Sequence, residues 1–432
     1  MNQAELVAII GKTRVDGHTE LDLSKEDLTT LPPEIGDLTN LLELDLSGNS
    51  LTELPSEIGK LTNLTRLNAR NNELTCLPPE IGKLTNLTGL YVQANKLTSL
   101  PPEISQLTKL NRLNASHNQL TELPPEIGTL TSVTWLYLAS NLLEKLPTEL
   151  GDLSSLTDLY LQDNSLVTLP EEIGQLTGLT ELQLDNNQLI EVPSGIGNLS
   201  NLKVVYLREN KLTTLPQEID GLNSLTWLYL GGNRLTELPP EIGGLANLTG
   251  LYVENNQLTK LPHEISNFNH LIWLYLDGNQ LTELPDEVGE LTQLIQLSLR
   301  YNQLVEFSPE ICNLVNLVYV DLAHNKMTSL PPEIGKLIAL NELHLNDNLL
   351  RSLPPEIGDL SEVIDCFLSN NHLTSVPSTM SKMESLERLL LSDNLLTSLP
   401  AELDDLVSNE IVEVSGNPLS AGTEDHHEGH TH

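Results

Sequence analysis

The chain has 432 residues, of which 60 are acidic and 22 basic, for a formal net charge of −38. That excess repels phosphate backbones and anionic membrane surfaces, so neither nucleic acid nor a membrane is expected as a partner. Three cysteines, Cys76, Cys312 and Cys366, are too few and too scattered for a disulfide framework, and no apolar run approaches the roughly 18 residues that cross a bilayer. A reducing, cytoplasmic setting is expected.

The opening, MNQAELVAIIGKTR, has an apolar stretch shorter than a secretory leader needs, with no basic residues ahead of it. Leu6, Val7, Ile9 and Ile10 instead predict one amphipathic helix within residues 1–18, covering the open end of a core.

From residue 19 the sequence repeats. One asparagine returns every 23 residues, from Asn49 through Asn72 and Asn95 to Asn417, without a slip. One period before Asn49 stands Glu26, in an atypical first turn that keeps the leucines and loses the asparagine. The series predicts 18 turns over residues 19–419, the last incomplete. Such an array grows by stacking turns, so its length does not demand several domains.

Around each asparagine the pattern is L-x-x-L-x-L-x-x-N-x-L-x-x-L-P-x-E-I-G-x-L-x-x, clearest in LLELDLSGNSLTELPSEIGKLTN. The x-L-x-L-x segment alternates with period two and predicts one short strand per turn, its leucines pointing inward. The asparagine carries both a donor and an acceptor for backbone groups where the chain bends. After Leu-Pro, a proline at the first helical position and a glutamate near the positive dipole end predict a short helical or 3-10 segment. That glutamate stands in 15 of the 17 turns from Glu34 to Glu402, with Gly195 and Thr379 in the other two. An acidic docking stripe would look the same; helix capping and solubility are the reading taken here.

This pattern resembles the leucine-rich-repeat signature. The resemblance implies an α/β solenoid, a horseshoe with a concave parallel sheet and convex short helical or 3-10 segments. The LPPEIGxLTNL half-repeat is similar to that of Ras-group intracellular repeat proteins, scaffolds that bind small GTPases or phosphatases. The opening GHTELDLSKEDLTTLPPEIG resembles bacterial, especially cyanobacterial, repeat proteins and the repeat domains of Roco GTPases. A protein partner, including a small GTPase or a phosphatase acting in trans, is what the resemblance implies.

At the far end, the strand Val412-Glu413-Val414 is followed by Asn417-Pro418 and a polar tail. Its edge has little visible cover, so pairing between two copies stays open beside the expected monomer and the blander fraying of the last turn. His426, His427, His430 and His432 crowd the tail over 420–432, beside Glu424, Asp425 and Glu428. Without a packed shell to orient them they make a disordered tail rather than a metal site. No catalytic constellation interrupts the template, and no cofactor is expected.

What does break the template is the pair of strand positions flanking the inward leucine, where the outward side chains collect aromatics. Those are Tyr91, Trp135, Tyr137, Tyr160, Tyr206, Trp227, Tyr229, Tyr252, Trp273, Tyr275 and Tyr319, which include every tryptophan and every tyrosine but Tyr301. Phe367 joins them, while Phe268 and Phe307 replace core leucines. Strand propensity and cross-strand packing explain part of this. They do not explain why the first three turns and most of the last four lack such residues. Trp, Tyr and Arg are enriched at binding hot spots. The densest stretch, Tyr206 to Tyr275, is therefore read as a partner-binding centre, with Arg208, Arg234, Arg300, Glu209, Glu254 and Asp277 as a polar rim. A second cluster is Trp135, Tyr137 and Tyr160, beside Asp158 and Asp163. The function expected is a protein-binding scaffold that holds a macromolecular partner on its concave aromatic face, with signalling as one setting for it. The alternative is an exported protein that recognises carbohydrate or a cell-surface ligand.

Overall fold

The structure, a computed structural model, describes residues 1–419. The histidine tail lies outside the described residues. The chain packs as two compact units, Met1–Leu225 and Thr226–His432.

In the first unit, helix α1 (Gln3–Asp16) starts at a capping box in which Asn2 and Glu5 each accept the other's backbone N–H, at 3.0 Å. It ends at Gly17 in the left-handed region, φ 67°. Leu6 and Ile10 are buried beneath it, and Arg14 reaches Asp37 of the first turn at 3.0 Å. Nine three-residue strands follow: β1 (Glu20–Asp22), β2 (Glu43–Asp45), β3 (Arg66–Asn68), β4 (Gly89–Tyr91), β5 (Arg112–Asn114), β6 (Trp135–Tyr137), β7 (Asp158–Tyr160), β8 (Glu181–Gln183) and β9 (Val204–Tyr206). Each pairs in parallel with the next, residue for residue one repeat apart, as Leu67 with Leu90.

The second unit repeats the plan with β10 (Trp227–Tyr229), β11 (Gly250–Tyr252), β12 (Trp273–Tyr275), β13 (Gln296–Ser298), β14 (Tyr319–Asp321), β15 (Glu342–His344), β16 (Asp365–Phe367), β17 (Arg388–Leu390) and β18 (Val412–Glu413). A short helix α2 (Asp404–Ser408) precedes β18. The last turn, expected to fray, keeps the ladder: the Asn417 amide donates to Leu391 O at 2.8 Å and Val414 O at 3.0 Å.

Backbone bonds between turns continue past both ends of each strand, as Thr65 N–H to Leu42 O at 2.8 Å and Val92 N–H to Asn114 O at 2.8 Å, and side chains add to them. Before it, a threonine hydroxyl donates to the preceding turn's carbonyl, as Thr65 to Leu42 O at 3.0 Å and Thr88 to Thr65 O at 3.0 Å. After it, the chain bends through a left-handed residue such as Ala94 (φ 56°) and reaches the repeated asparagine. The Asn72 amide donates to Leu46 O at 2.9 Å and Ala69 O at 3.2 Å, and its Oδ1 accepts the Leu51 N–H at 3.0 Å. One side chain thus satisfies three buried backbone groups, on its own turn and the one before. The inward leucines are buried, and Leu90 and Leu251 among them have no exposure.

The return segment of each turn is a 3-10 helix, as over Pro33–Asp37. The proline of Leu-Pro, expected at its first position, sits one residue earlier as the N-cap: Pro32 has φ −74° and ψ 152°. An N-cap residue has extended backbone whatever follows it, and Pro55, before Ser56, has nearly the same angles, φ −68° and ψ 151°. The conserved-looking glutamate is held by packing as well as by the dipole. A Cβ added to Gly36 would lie 2.8 Å from Glu57 O and 2.9 Å from Glu57 Cβ, so glycine in one turn makes room for glutamate in the next. Where Gly195 stands in place of glutamate, the Glu171 carboxylate of the preceding turn accepts the Gly195 N–H at 2.8 Å and the Ser194 hydroxyl at 3.1 Å.

Candidate binding surface

The strand residues on either side of each buried leucine form two columns on the sheet face turned away from the core. The expected aromatics all stand in these columns, and all are half-buried rather than fully exposed. The reason is lateral stacking between neighbouring strands.

In the first unit, Tyr137 and Tyr160 stack with ring centroids 4.6 Å apart. Trp135 carries the Arg112 guanidinium 3.7 Å from its ring centroid, and Tyr91 carries that of Arg66 at 5.1 Å. Tyr206 ends β9, and Arg208 just beyond donates its N–H to Asp185 Oδ1 at 2.7 Å.

In the second unit, β10–β12 bring five of the expected residues into one slab. Tyr229 lies 4.7 Å from Tyr252, Tyr252 lies 5.0 Å from Tyr275, and Trp227 lies 5.0 Å from Trp273, all stacked. The last pair belongs to strands two apart, with Gly250 between them in the column. A Cβ on Gly250 would lie 2.5 Å from Trp227 Cε3, so the missing side chain is what lets one indole reach the other. Tyr319 is separate from the slab. It tilts against His344 at 5.3 Å, and His344 meets Phe367 edge-on at 4.6 Å.

Of the expected rim, Glu254 folds over Gly231, whose added Cβ would lie 2.9 Å from its Oε1. Asp277 accepts the Ser298 hydroxyl at 2.6 Å and the Arg300 N–H at 2.7 Å. Burial raises the Asp277 carboxyl above its ordinary range despite these donors. Arg300 turns away to the Tyr301 ring, 4.8 Å from its centroid, and Tyr301 stacks on His324 at 4.2 Å. Burial first, and then a neighbouring carboxylate, also raises the phenols of Tyr137, Tyr160, Tyr275 and Tyr319. These rings stay neutral and can donate: Tyr275 donates to Gln296 Oε1, and Tyr319 to Asp321 Oδ2 at 3.3 Å.

Sequence reasoning missed the two stacked arginines, Arg66 and Arg112, and the spacing role of Gly250. The signal was present in one column, which reads Arg66, Gly89, Arg112, Trp135 on four successive strands. Burial pushes the Cys312 and Cys366 thiols up to about 12, so both remain protonated, and no group of metal-ligating side chains occurs among the described residues.

A stacked-turn solenoid with one variable, aromatic sheet face defines a repeat scaffold. The chain belongs to the leucine-rich-repeat family: the "Leucine rich repeat" model matches residues 19–74, 85–143, 131–189, 177–235 and 273–327, and the "Leucine-rich repeat region" model matches 308–408. It is similar to the solved repeat protein LIC12759 of Leptospira interrogans, with 38% identity and a TM-score of 0.75 over 96% of this chain and 98% of that one. It is also similar to the plant peptide hormone receptor RGFR1, solved in complex with RGF2, at 28% identity and a TM-score of 0.65 over 92% of this chain and 78% of that one. InlJ of Listeria monocytogenes is similar at 25% identity and a TM-score of 0.63, over 87% of this chain and 74% of that one. No curated protein matches the chain. Repeat folds of this family are in general non-enzymatic scaffolds for protein–protein interaction.

Proposed function

We propose that this chain is a scaffold that seats a protein partner on the outer face of its sheet, with the β10–β12 slab as the energetic centre. The observation that carries the reading is the slab itself, where Trp227, Tyr229, Tyr252, Trp273 and Tyr275 stack without a break. Rings immobilised by their neighbours lose little entropy on binding and present large apolar area beside polar groups. The peptide complex of the similar plant receptor supports a partner of this class. The half-repeat's likeness to Ras-group proteins makes a small GTPase or a phosphatase the first candidate to present to it. Three free thiols support a reducing compartment.

The test is capture from a lysate with wild type and with Trp227→Ala, Tyr229→Ala and Trp273→Ala combined, each checked for folding by circular dichroism. Loss of the central rings is expected to cut affinity by on the order of 100-fold. Equal recovery of the same partner would overturn the reading. A flat aromatic slab bordered by carboxylates also suits sugar rings, so a glycan array serves as the competing measurement.

A further inference from the structure

The column Arg66, Gly89, Arg112, Trp135 belongs to a stretch of the first unit unlike its surroundings in charge. The segments 65–71, 88–94, 111–117 and 134–140, each a strand of β3–β6 with its flanks, contain Arg66, Arg70, Arg112 and His117 and no carboxylate. The chain as a whole has 60 acidic residues in 432, about one in seven. The turns on either side are acidic at the same positions: Glu20, Asp22, Glu43 and Asp45 before, Asp158 and Glu181 after.

Arg66 and Arg112 are exposed, and neither makes an ion pair among the described residues. Both are held all the same. Each leans one strand onward, Arg66 onto Tyr91 and Arg112 onto Trp135. The backbone positions of Arg66 and Arg112 lie in one column two strands apart, roughly 9.6 Å. Gly89 between them leaves the floor low, with the Tyr91 ring across it: an added Cβ would lie 2.9 Å from Tyr91 Cε2. Asn114, opposite Tyr91, accepts the Ser116 N–H on its Oδ1 at 3.1 Å.

We propose that β3–β6 bind an acidic, proline-rich segment of a partner protein in polyproline II conformation, with one carboxylate on Arg66 and a second, three residues on, on Arg112. The spacing argument is specific. A polyproline II helix has three residues per turn and rises about 3.1 Å per residue, so residues three apart face the same side about 9.3 Å apart. The Tyr91 ring lying across Gly89 and the Trp135 indole give the floor its apolar surface beside the guanidinium groups. A guanidinium already stacked on a ring loses little further freedom when it takes a carboxylate. The acidic strands on both sides repel the same segment, so they confine it to this register and exclude it from the rest of the face.

The experiment is calorimetric titration of the full chain with a synthetic peptide containing Glu-Pro-Pro-Glu. Controls are the Gln-Pro-Pro-Gln and Glu-Pro-Glu peptides and inorganic phosphate. Saturable binding of the first peptide is expected, with at least about tenfold weaker binding of both control peptides. Arg66→Gln with Arg112→Gln should weaken the Glu-Pro-Pro-Glu peptide by about tenfold or more, whereas Lys336→Gln with Arg351→Gln, an equal charge change in the second unit, should leave it unchanged. All four positions are exposed, and circular dichroism checks each variant's fold. The proposal is overturned if the wild type fails to bind the peptide, if both double variants weaken it equally, or if phosphate displaces it at equal concentration. Self-association abolished by the first double variant would also overturn it, since the occupant would then be a second copy.

Discussion

On β10–β12 aromatic rings lie on one another, bordered by Glu254 and Asp277; on β3–β6 Tyr91 and Trp135 lie under guanidinium groups, on strands that carry no carboxylate of their own. The backbone beneath is the same in both stretches. The same parallel register, the same asparagine ladder and the same buried leucines recur at each turn. What differs is confined to the outward columns, where a side chain can change without disturbing the core. Each stretch also has a glycine in its column, Gly89 in one and Gly250 in the other, and the two glycines solve different problems. Gly250 separates two indoles that must meet, while Gly89 underlies a single phenol.

That contrast can be broken most sharply by adding one methyl group. Gly250→Ala places Cβ 2.5 Å from the Trp227 ring, which is itself wedged against Trp273 and Tyr252, so the slab must open. A destabilisation of about 2 kcal/mol is expected, read from the urea midpoint, together with a changed near-ultraviolet dichroism spectrum. Gly89→Ala meets the edge of one tyrosine ring at 2.9 Å and should cost about half as much. Equal costs would mean that the two stretches are packed alike.

A smaller effect comes from the bend after each strand. Ala94, beyond β4, and Asn255, beyond β11, are both left-handed, with φ 56° and 54°. Alanine is strained there and asparagine tolerates it. Ala94→Gly should therefore stabilise the protein by about 0.5 kcal/mol, and Asn255→Gly should be near neutral in the same urea titration. A loss of stability in Ala94→Gly would show that the bend carries no strain.

The smallest effect is electrostatic and has no counterpart on β3–β6. Burial raises the Asp277 carboxyl in the folded protein, so the folded chain holds a proton that the unfolded chain has already released. Stability from this group is present in acid and falls as pH rises through the carboxylate range. Asp277→Asn keeps an acceptor for Ser298 and Arg300 and removes the titration. The variant should lose less melting temperature than wild type between about pH 4 and about pH 7. An unchanged pH profile would place the burden on Asp185, which burial raises in the same direction.

Much of this was legible in the residues. The 23-residue asparagine series gives the turn, because an amide that must bond three backbone groups on two turns cannot be moved by even one position. The leucine alternation gives the strand and its inward face, and thereby which side chains point out. The aromatic columns follow from that alone. The sequence reading failed where a side chain's neighbour is a full repeat away. It treated the tyrosines and tryptophans as exposed, and stacking across strands half-buries them. It set Arg300 on the rim of the slab, and Tyr301 and His324 draw it elsewhere.

The sequence by itself determined the repeat, its strand and bend, and the two columns that carry the chain's individuality, because each of these is a local, periodic demand of backbone hydrogen bonding and leucine burial. Only the tertiary structure decided which column residues act together. That choice depends on contacts made across strands 23 residues apart, where the absence of a Cβ at Gly250 or the lean of Arg112 onto Trp135 settles what touches what.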